Sequence, residues 1–222
     1  KVMDYGTVTG SNGNWLDVFT AKNIETLPFE ASNCAFGVDW DDEFISKNEG
    51  TPLKNIAISC LGKKQTGEVV VTKFGLEGNA IYALSPQIRE GLNKDGKATV
   101  YLDLKPTMTE ESIFKKIEKS PLRNSTKILR KTLKINDVQM DLIKKYISKE
   151  AFIDNALLAK NLKSLPIEVT STATLDESIS TFGGVSLTAV NEHYELNNLK
   201  NQYCIGEMLS WDAPTGGYLL QA

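Results

Sequence analysis

From Thr109 to Ser164 the apolar residues recur at helical spacing throughout, and on both sides of that block the spacing is that of strands. Ile113, Phe114 and Ile117 form one short stripe. Leu129, Leu133, Val138, Leu142, Ile143, Tyr146 and Ile147 supply others. Two or three short helices in succession before Pro166, set among strands, specify an α+β fold.

Upstream, "FEASNCAFGVDW", "LKNIAISCLG" and "GEVVVTKFG" read as extended segments, with "KKQTG" as the hairpin turn between the last two. "GLEGNAIYALSPQIREGLN" changes period to helix: Ser85 is placed as the N-cap, Pro86 at the first helical position and Gly91 as the stop. "KATVYLDLKP" returns to strand. After Pro166, "IEVTSTATL", "GGVSLTAV" and "QYCIGEM" read as strands, the last ending at Gly206–Glu207. At the other end a Gly/Thr/Ser loop leads into a helix from about Asn14 to Lys22, with Trp15, Leu16 and Phe19 turned inward and Val18 as a further candidate for that side. Residues 28–165 therefore read as one body, a mixed sheet followed by a helical group, and the two ends as parts of another.

With 222 residues, 41% of them hydrophobic, the chain is long enough for one large domain or two modest ones. The net charge of −3 gives no global attraction to nucleic acid or membrane. No apolar run approaches a membrane span, and no signal-peptide pattern is present. Cys34, Cys60, Cys204 and the single His193 form neither a disulfide framework nor a metal-ligand spacing, so a reduced, cytoplasmic setting is expected. His193 falls in a polar connection and reads as surface. Asp41–Asp42 and Glu110–Glu111 mark loop and helix starts, and Trp40 the edge of the core.

Charge is unevenly spread. Lys105 to Lys149 holds 12 Lys/Arg against 5 Asp/Glu, a local +7, which leaves −10 for the rest of the chain. Solvated helix faces account for this, and so does a patch that steers an anionic substrate, cofactor or partner.

The tail, "CIGEMLSWDAPTGGYLLQA", carries the densest chemistry. A glycine at a strand end, Gly206, lets a ligand approach the backbone, and Glu207 then offers a carboxylate to a hydroxyl. Pro214 blocks helix propagation backward, and Thr215 is a good N-cap. Gly216, Gly217 and Tyr218 then present free N–H groups at a helix start, a setting suited to an anion or to the pyrimidine edge of a flavin. An ordinary strand–turn–helix with a tight Gly–Gly contact explains the same residues.

"TFGGVSLTAV" and "YCIGEMLSWDAPTGGYLLQA" resemble the C-terminal signature of bacterial FAD-dependent flavoproteins related to aminoacetone oxidases and to bile-acid-linked reductases. "TGSNGNW", "PFEASNCAFGVDW" and "GEVVVTKFGLEGNAIYALS" are similar to three further stretches of that family, the last with Lys73, Glu77 and Asn79 as a subgroup variant. The resemblance implies a glutathione-reductase-like FAD domain interrupted by a β-barrel-like sheet with a helical subdomain. Residues 28–165 are then the insertion, with its sheet in 28–104 and its helices in 105–165. Residues 1–27 and 166–222 are then pieces of the FAD domain. It further implies that Glu207 binds the ribityl chain, that Gly216, Gly217 and Tyr218 lie at the pyrimidine edge with Gly206 and Thr215 also on the cofactor side, and that Thr181, Gly183 and Gly184 line the flavin side of a strand. Gly75, Leu76, Glu77, Gly78 and Asn79 approach the ring or substrate from the insertion. The implied activity is hydride transfer through FAD from a reduced nicotinamide, NAD(P)H, or a small organic substrate to an acceptor.

One departure stands out. The family opens on a G-x-G-x-x-G unit that holds the cofactor pyrophosphate, whereas Gly6, Gly10 and Gly13 follow a different spacing with no apolar strand before them. The chain therefore resembles a fragment lacking the N-terminal dinucleotide-binding part, which is expected to bind FAD weakly or not at all. The rival expectation is a binding module without enzymatic activity, which uses the basic helices of 105–149 to hold an anionic partner.

Overall fold

The computed structural model describes residues 13–214 and Tyr218. The chain divides into two compact units, one contiguous from Phe36 to Ser171, the other assembled from the segments on either side of it. No helix among the described residues is long and apolar enough to cross a membrane.

Among the described residues, the flanking unit starts with α1 (Trp15–Thr20) and β1 (Thr26–Ser32). The contiguous unit then opens with β2 (Phe36–Gly37) and α2 (Asp42–Asn48), a helix that lies between two of the extended segments and begins at the Asp41–Asp42 pair. Its start is set locally: the Asp41 carboxylate accepts the Phe44 N–H at 2.7 Å, which satisfies one of the helix's free donors. Strands β3 (Pro52–Cys60) and β4 (Lys63–Val71) form a hairpin, followed by β5 (Gly75–Glu77), α3 (Asn79–Tyr82), α4 (Ser85–Asp95) and β6 (Ala98–Asp103). The helical group comprises α5 (Glu110–Glu118), α6 (Ser125–Lys131), α7 (Asp137–Tyr146), α8 (Lys149–Ile153) and α9 (Asn155–Lys163). Each begins at a side-chain cap, in turn Thr109, Asn124, Asn136, Ser148 and Asp154, and Asn136 with Gln139 completes a reciprocal capping box. The chain returns to the sheet as β7 (Leu165–Val169) and leaves the unit through β8 (Ser171–Thr172).

The strand order is β7-β6-β3-β4-β5-β2-β8. The two outermost strands, β7 and β8, are separated in the chain by Thr170 alone, so the sheet curls until its ends meet. That is a barrel closed by one kinked strand. Inward residues alternate with outward ones on β6 and β7, whose burial follows the period of two expected for a sheet with one face in the core. The whole is α+β, with antiparallel pairing throughout the defined registers of this sheet.

Two boundaries differ from expectation. The β3–β4 turn is Leu61–Gly62, and "KKQTG" lies within β4. Leu61 (φ 43°) and Gly62 (φ 81°) are both left-handed, the requirement of a two-residue turn that follows the twist of its strands. Leu61 is 60% exposed and holds that conformation without a burial gain to offset it. Replacing Leu61 with Asn is therefore expected to stabilise the protein by about 0.5–1 kcal/mol. A rise in the thermal midpoint checks this; a fall shows that the exposed leucine is held by contacts of its own.

The second is α4, where Leu84 holds the cap position, Ser85 is the first helical residue, and the helix passes through Gly91 to close at Gly96. A Cβ at Gly91 would lie 2.8 Å from the Cβ of Ala98, so the missing side chain lets α4 approach β6 rather than ending the helix.

Candidate functional site

In the flanking unit, β1 pairs antiparallel with β9 (Ser180–Val185), and the register shifts between Leu27 and Glu30. Gly183 stands opposite that irregularity with φ 112°, and a Cβ on it would fall 2.2 Å from the Pro28 carbonyl oxygen. At Gly184 a Cβ would fall 2.6 Å from the Met208 carbonyl oxygen. The bare backbone at both glycines is thus taken up by the chain itself. Thr181, buried, faces Ala31 in the same ladder.

Beside β9 runs the tail. Val185 forms a parallel bridge with Leu209, and its carbonyl accepts the Ser210 N–H at 2.8 Å. Farther along, Ser32 Oγ donates to Asp212 Oδ1 at 2.8 Å, while Asn33 Nδ2 donates to Ser180 Oγ at 2.6 Å and to the Ala213 carbonyl at 2.7 Å. Ile24, Val185, Leu196, Cys204 and Leu209 form the core beneath, flanked by Trp15, Phe19 and Trp211. "QYCIGEM" is not a strand. Tyr203 makes one bridge to Glu195, and Gly206–Met208 is a 3-10 turn that Gly206 enters at φ 60°. Glu207 consequently rises from a turn, half-buried, and the Gly206 carbonyl accepts the Trp211 indole N–H at 3.3 Å. Polar neighbours in the tail and the coiled path from Asn191 to Asn201 leave too few successive backbone partners to propagate a ladder. Cys204 is fully buried, and burial pushes its thiol up, which keeps it protonated and unreactive. Tyr218 is exposed; Thr215, Gly216 and Gly217 lie outside the described residues.

The segment from Gly75 to Asn79 belongs to the barrel. Gly75 pairs with Gly37 so closely that a Cβ would sit 1.9 Å from the Phe36 carbonyl oxygen. Gly78 caps α3, where a Cβ would meet the Glu68 carbonyl at 2.8 Å. Leu76 is fully buried in the barrel core, so its side chain is turned away from any approaching molecule. Half-buried Glu77 and exposed Asn79, with exposed Lys73 and Phe74 before them, are the groups this segment offers.

The residue types are a partial fit to a flavin. Glu207 supplies a carboxylate able to accept from ribityl hydroxyls, and the buried Trp15 Nε1 is a donor with no hydrogen-bond partner among the described residues. The closely approached glycines, 183 and 184, leave no cradle of their own, and no pyrophosphate-binding glycine loop occurs among the described residues.

Elsewhere, His193 is exposed beside Glu192, as expected for a surface residue. Trp40 stacks on Phe44 at 4.7 Å between ring centres, and burial together with the Asp41 and Asp39 carboxylates pushes the Tyr146 phenol up to about 12. Lys145 bridges to Asp41 and, with the Phe44 backbone N–H, holds that carboxyl below its usual range. Sequence reasoning missed Asp103, whose buried carboxylate takes Lys163 at 2.8 Å and Lys64 at 3.0 Å; nothing in the spacing of "YLDLKP" marks it.

A family model described as "HI0933-like protein barrel and H2TH domain" matches residues 30–180, more than half of the chain, over the barrel and helical group seen here. That family is tied to the FAD-dependent oxidoreductase and flavoprotein superfamily.

Proposed function

The chain belongs to the HI0933-like barrel and H2TH domain family, and we propose that it is the inserted domain of an FAD-dependent oxidoreductase together with flanking parts of its FAD domain. The observation that carries this reading is the discontinuous flanking unit. Two chain segments on either side of the barrel pair as β1 and β9, as they must when one domain is inserted into another. The family match, residues 30–180, covers the whole interrupting part and runs a few residues into each flank.

In this reading Glu207 holds the ribityl chain, Gly216, Gly217 and Tyr218 stand at the pyrimidine edge with Thr215 also on the cofactor side, and Glu77 and Asn79 face the substrate side. When bound, the flavin supplies the hydride-transfer step, from a reduced nicotinamide such as NAD(P)H or a small organic substrate toward an acceptor. The residues of this chain position and charge-balance that group. The pyrophosphate-binding half comes from residues outside this sequence, as a further segment of one polypeptide or as a second chain.

FAD titration, followed by flavin fluorescence with thermal melting in parallel, tests the proposal. The 222-residue chain is expected to be folded and to bind FAD no tighter than about 10 μM, an affinity equivalent to roughly −7 kcal/mol. In the complete protein, Glu207→Ala is expected to weaken flavin retention at least about tenfold, the effect of one charge-assisted hydrogen bond. Full flavin retention by that variant removes the ribityl assignment.

A further inference from the structure

Between Lys115 and Lys131 the chain places seven cations, Lys115, Lys116, Lys119, Arg123, Lys127, Arg130 and Lys131, against a single carboxylate, Glu118. This +6 strip covers the second half of α5, the link to α6 and all of α6, and it leaves −9 for the remainder of the net −3. Its apolar residues point the other way. Ile117, Ile128 and Leu129 are buried, while all seven cations are exposed. Lys115 and Arg130 have carboxylate partners, Glu111 at 2.5 Å and Asp137 at 2.6 Å. Lys116, Lys119, Arg123, Lys127 and Lys131 have none within ion-pair distance among the described residues. Five unpaired like charges on two short helices and the link between them repel one another, a cost that fold stability alone gives no reason to keep.

We propose that this α5–α6 strip is a docking surface for an acidic face of another protein. The chemistry of the strip selects that partner class. It contains no aromatic side chain on which a base could stack, the usual means of holding single-stranded nucleic acid. It has no large exposed apolar residue to enter a lipid interface, as a membrane-lying helix requires. Beyond the strip the chain carries −9, so a long uniform polyanion meets repulsion outside it, whereas an acidic patch matched to its size does not. Lysines outnumber arginines five to two, suited to a loosely held, salt-sensitive encounter rather than bidentate phosphate recognition. The surface acts independently of flavin, so loss of the oxidoreductase reading leaves it standing.

A labelled short oligo-L-glutamate peptide, no longer than the strip, is the probe, measured by fluorescence anisotropy without added FAD, with a 30-base-pair duplex DNA and phosphatidylserine vesicles as competitors. The chain is expected to bind this short acidic peptide at 25 mM salt and to lose about tenfold in affinity by 200 mM, as screening shortens the reach of surface charge. The Lys116→Glu, Lys119→Glu, Lys127→Glu, Lys131→Glu variant is expected to lose at least about tenfold at low salt. A control reversing Lys22, Lys94, Lys160 and Lys200, also exposed, is expected to lose less than about threefold, since those charges contribute only at a distance. If the reversed variant melts early, Lys→Gln at the same four positions replaces it. Equal losses in variant and control, absent binding at 25 mM salt, or preference for the DNA or the vesicles at equal charge concentration would each overturn the proposal.

Discussion

Asp103→Ala is expected to destabilise the barrel unit by about 2–4 kcal/mol, at the lower side of what removing one partner of a buried ion pair costs. The Asp103 side chain is 4% exposed and stands at the end of β6, where Oδ2 takes Lys163 Nζ from the last turn of α9 and Lys64 Nζ from β4. Its Oδ1 also accepts the Lys105 backbone N–H at 3.1 Å. One carboxylate thus ties the helical group to two strands. Lys163, 19% exposed, would keep its bonds to the Lys105 and Met108 carbonyls at 2.9 and 2.6 Å, so the ammonium is not fully stranded and the upper limit for a buried pair is not reached. Lys64 is half exposed and would turn to water at little cost. Urea denaturation of Asp103→Ala, with Lys163→Met and the double variant completing a cycle, isolates the pair. A loss under about 1 kcal/mol would show that water already satisfies all three groups.

Gly183→Ala is the second large effect, expected to cost the flanking unit about 2–5 kcal/mol from backbone strain plus overpacking. The added Cβ meets the Pro28 carbonyl oxygen at 2.2 Å and its carbon at 2.8 Å, both backbone atoms in the paired strand, so nothing flexible can move aside. Gly96 is the control. It is also left-handed, at φ 71°, but nothing lies within 4 Å of its Cβ position, so Gly96→Ala pays conformational strain alone, about 1–2 kcal/mol. Because the two glycines lie in different units, each needs its own reporter. Trp15 and Trp211 pack against the flanking core and follow Gly183→Ala in a Trp40→Phe background. Trp40, stacked on Phe44 in the barrel unit, follows Gly96→Ala in a background with Trp15 and Trp211 replaced by Phe. Equal costs at the two glycines would mean that β1 yields to the intruding methyl group and that the close approach is not required.

Helical spacing from Thr109 to Ser164, the strand–helix–strand order before it and the charge imbalance were all legible in the chain, because each is a property of residues a few positions apart. So was the α+β class. The tail motifs pointed to a flavoprotein relative, and the family match over residues 30–180 agrees with that at the level of the family. Spacing could not supply what depends on a second segment arriving from far along the chain. Gly91 reads as a helix stop until β6 lies against it, and the close approach of β1 to Gly183 and of the Met208 carbonyl to Gly184 cannot be read from their spacing. Leu76 sits beside a glycine in a ligand-like motif, yet the barrel turns it inward. "QYCIGEM" has strand composition but lacks a neighbour to pair with along its length, and so becomes a turn. Asp103 is one aspartate among many until Lys64 and Lys163 converge on it. Local propensity and pattern thus determined the kinds of element and their order; close approach and charge convergence, which depend on distances between remote residues, were decided only when the chain folded.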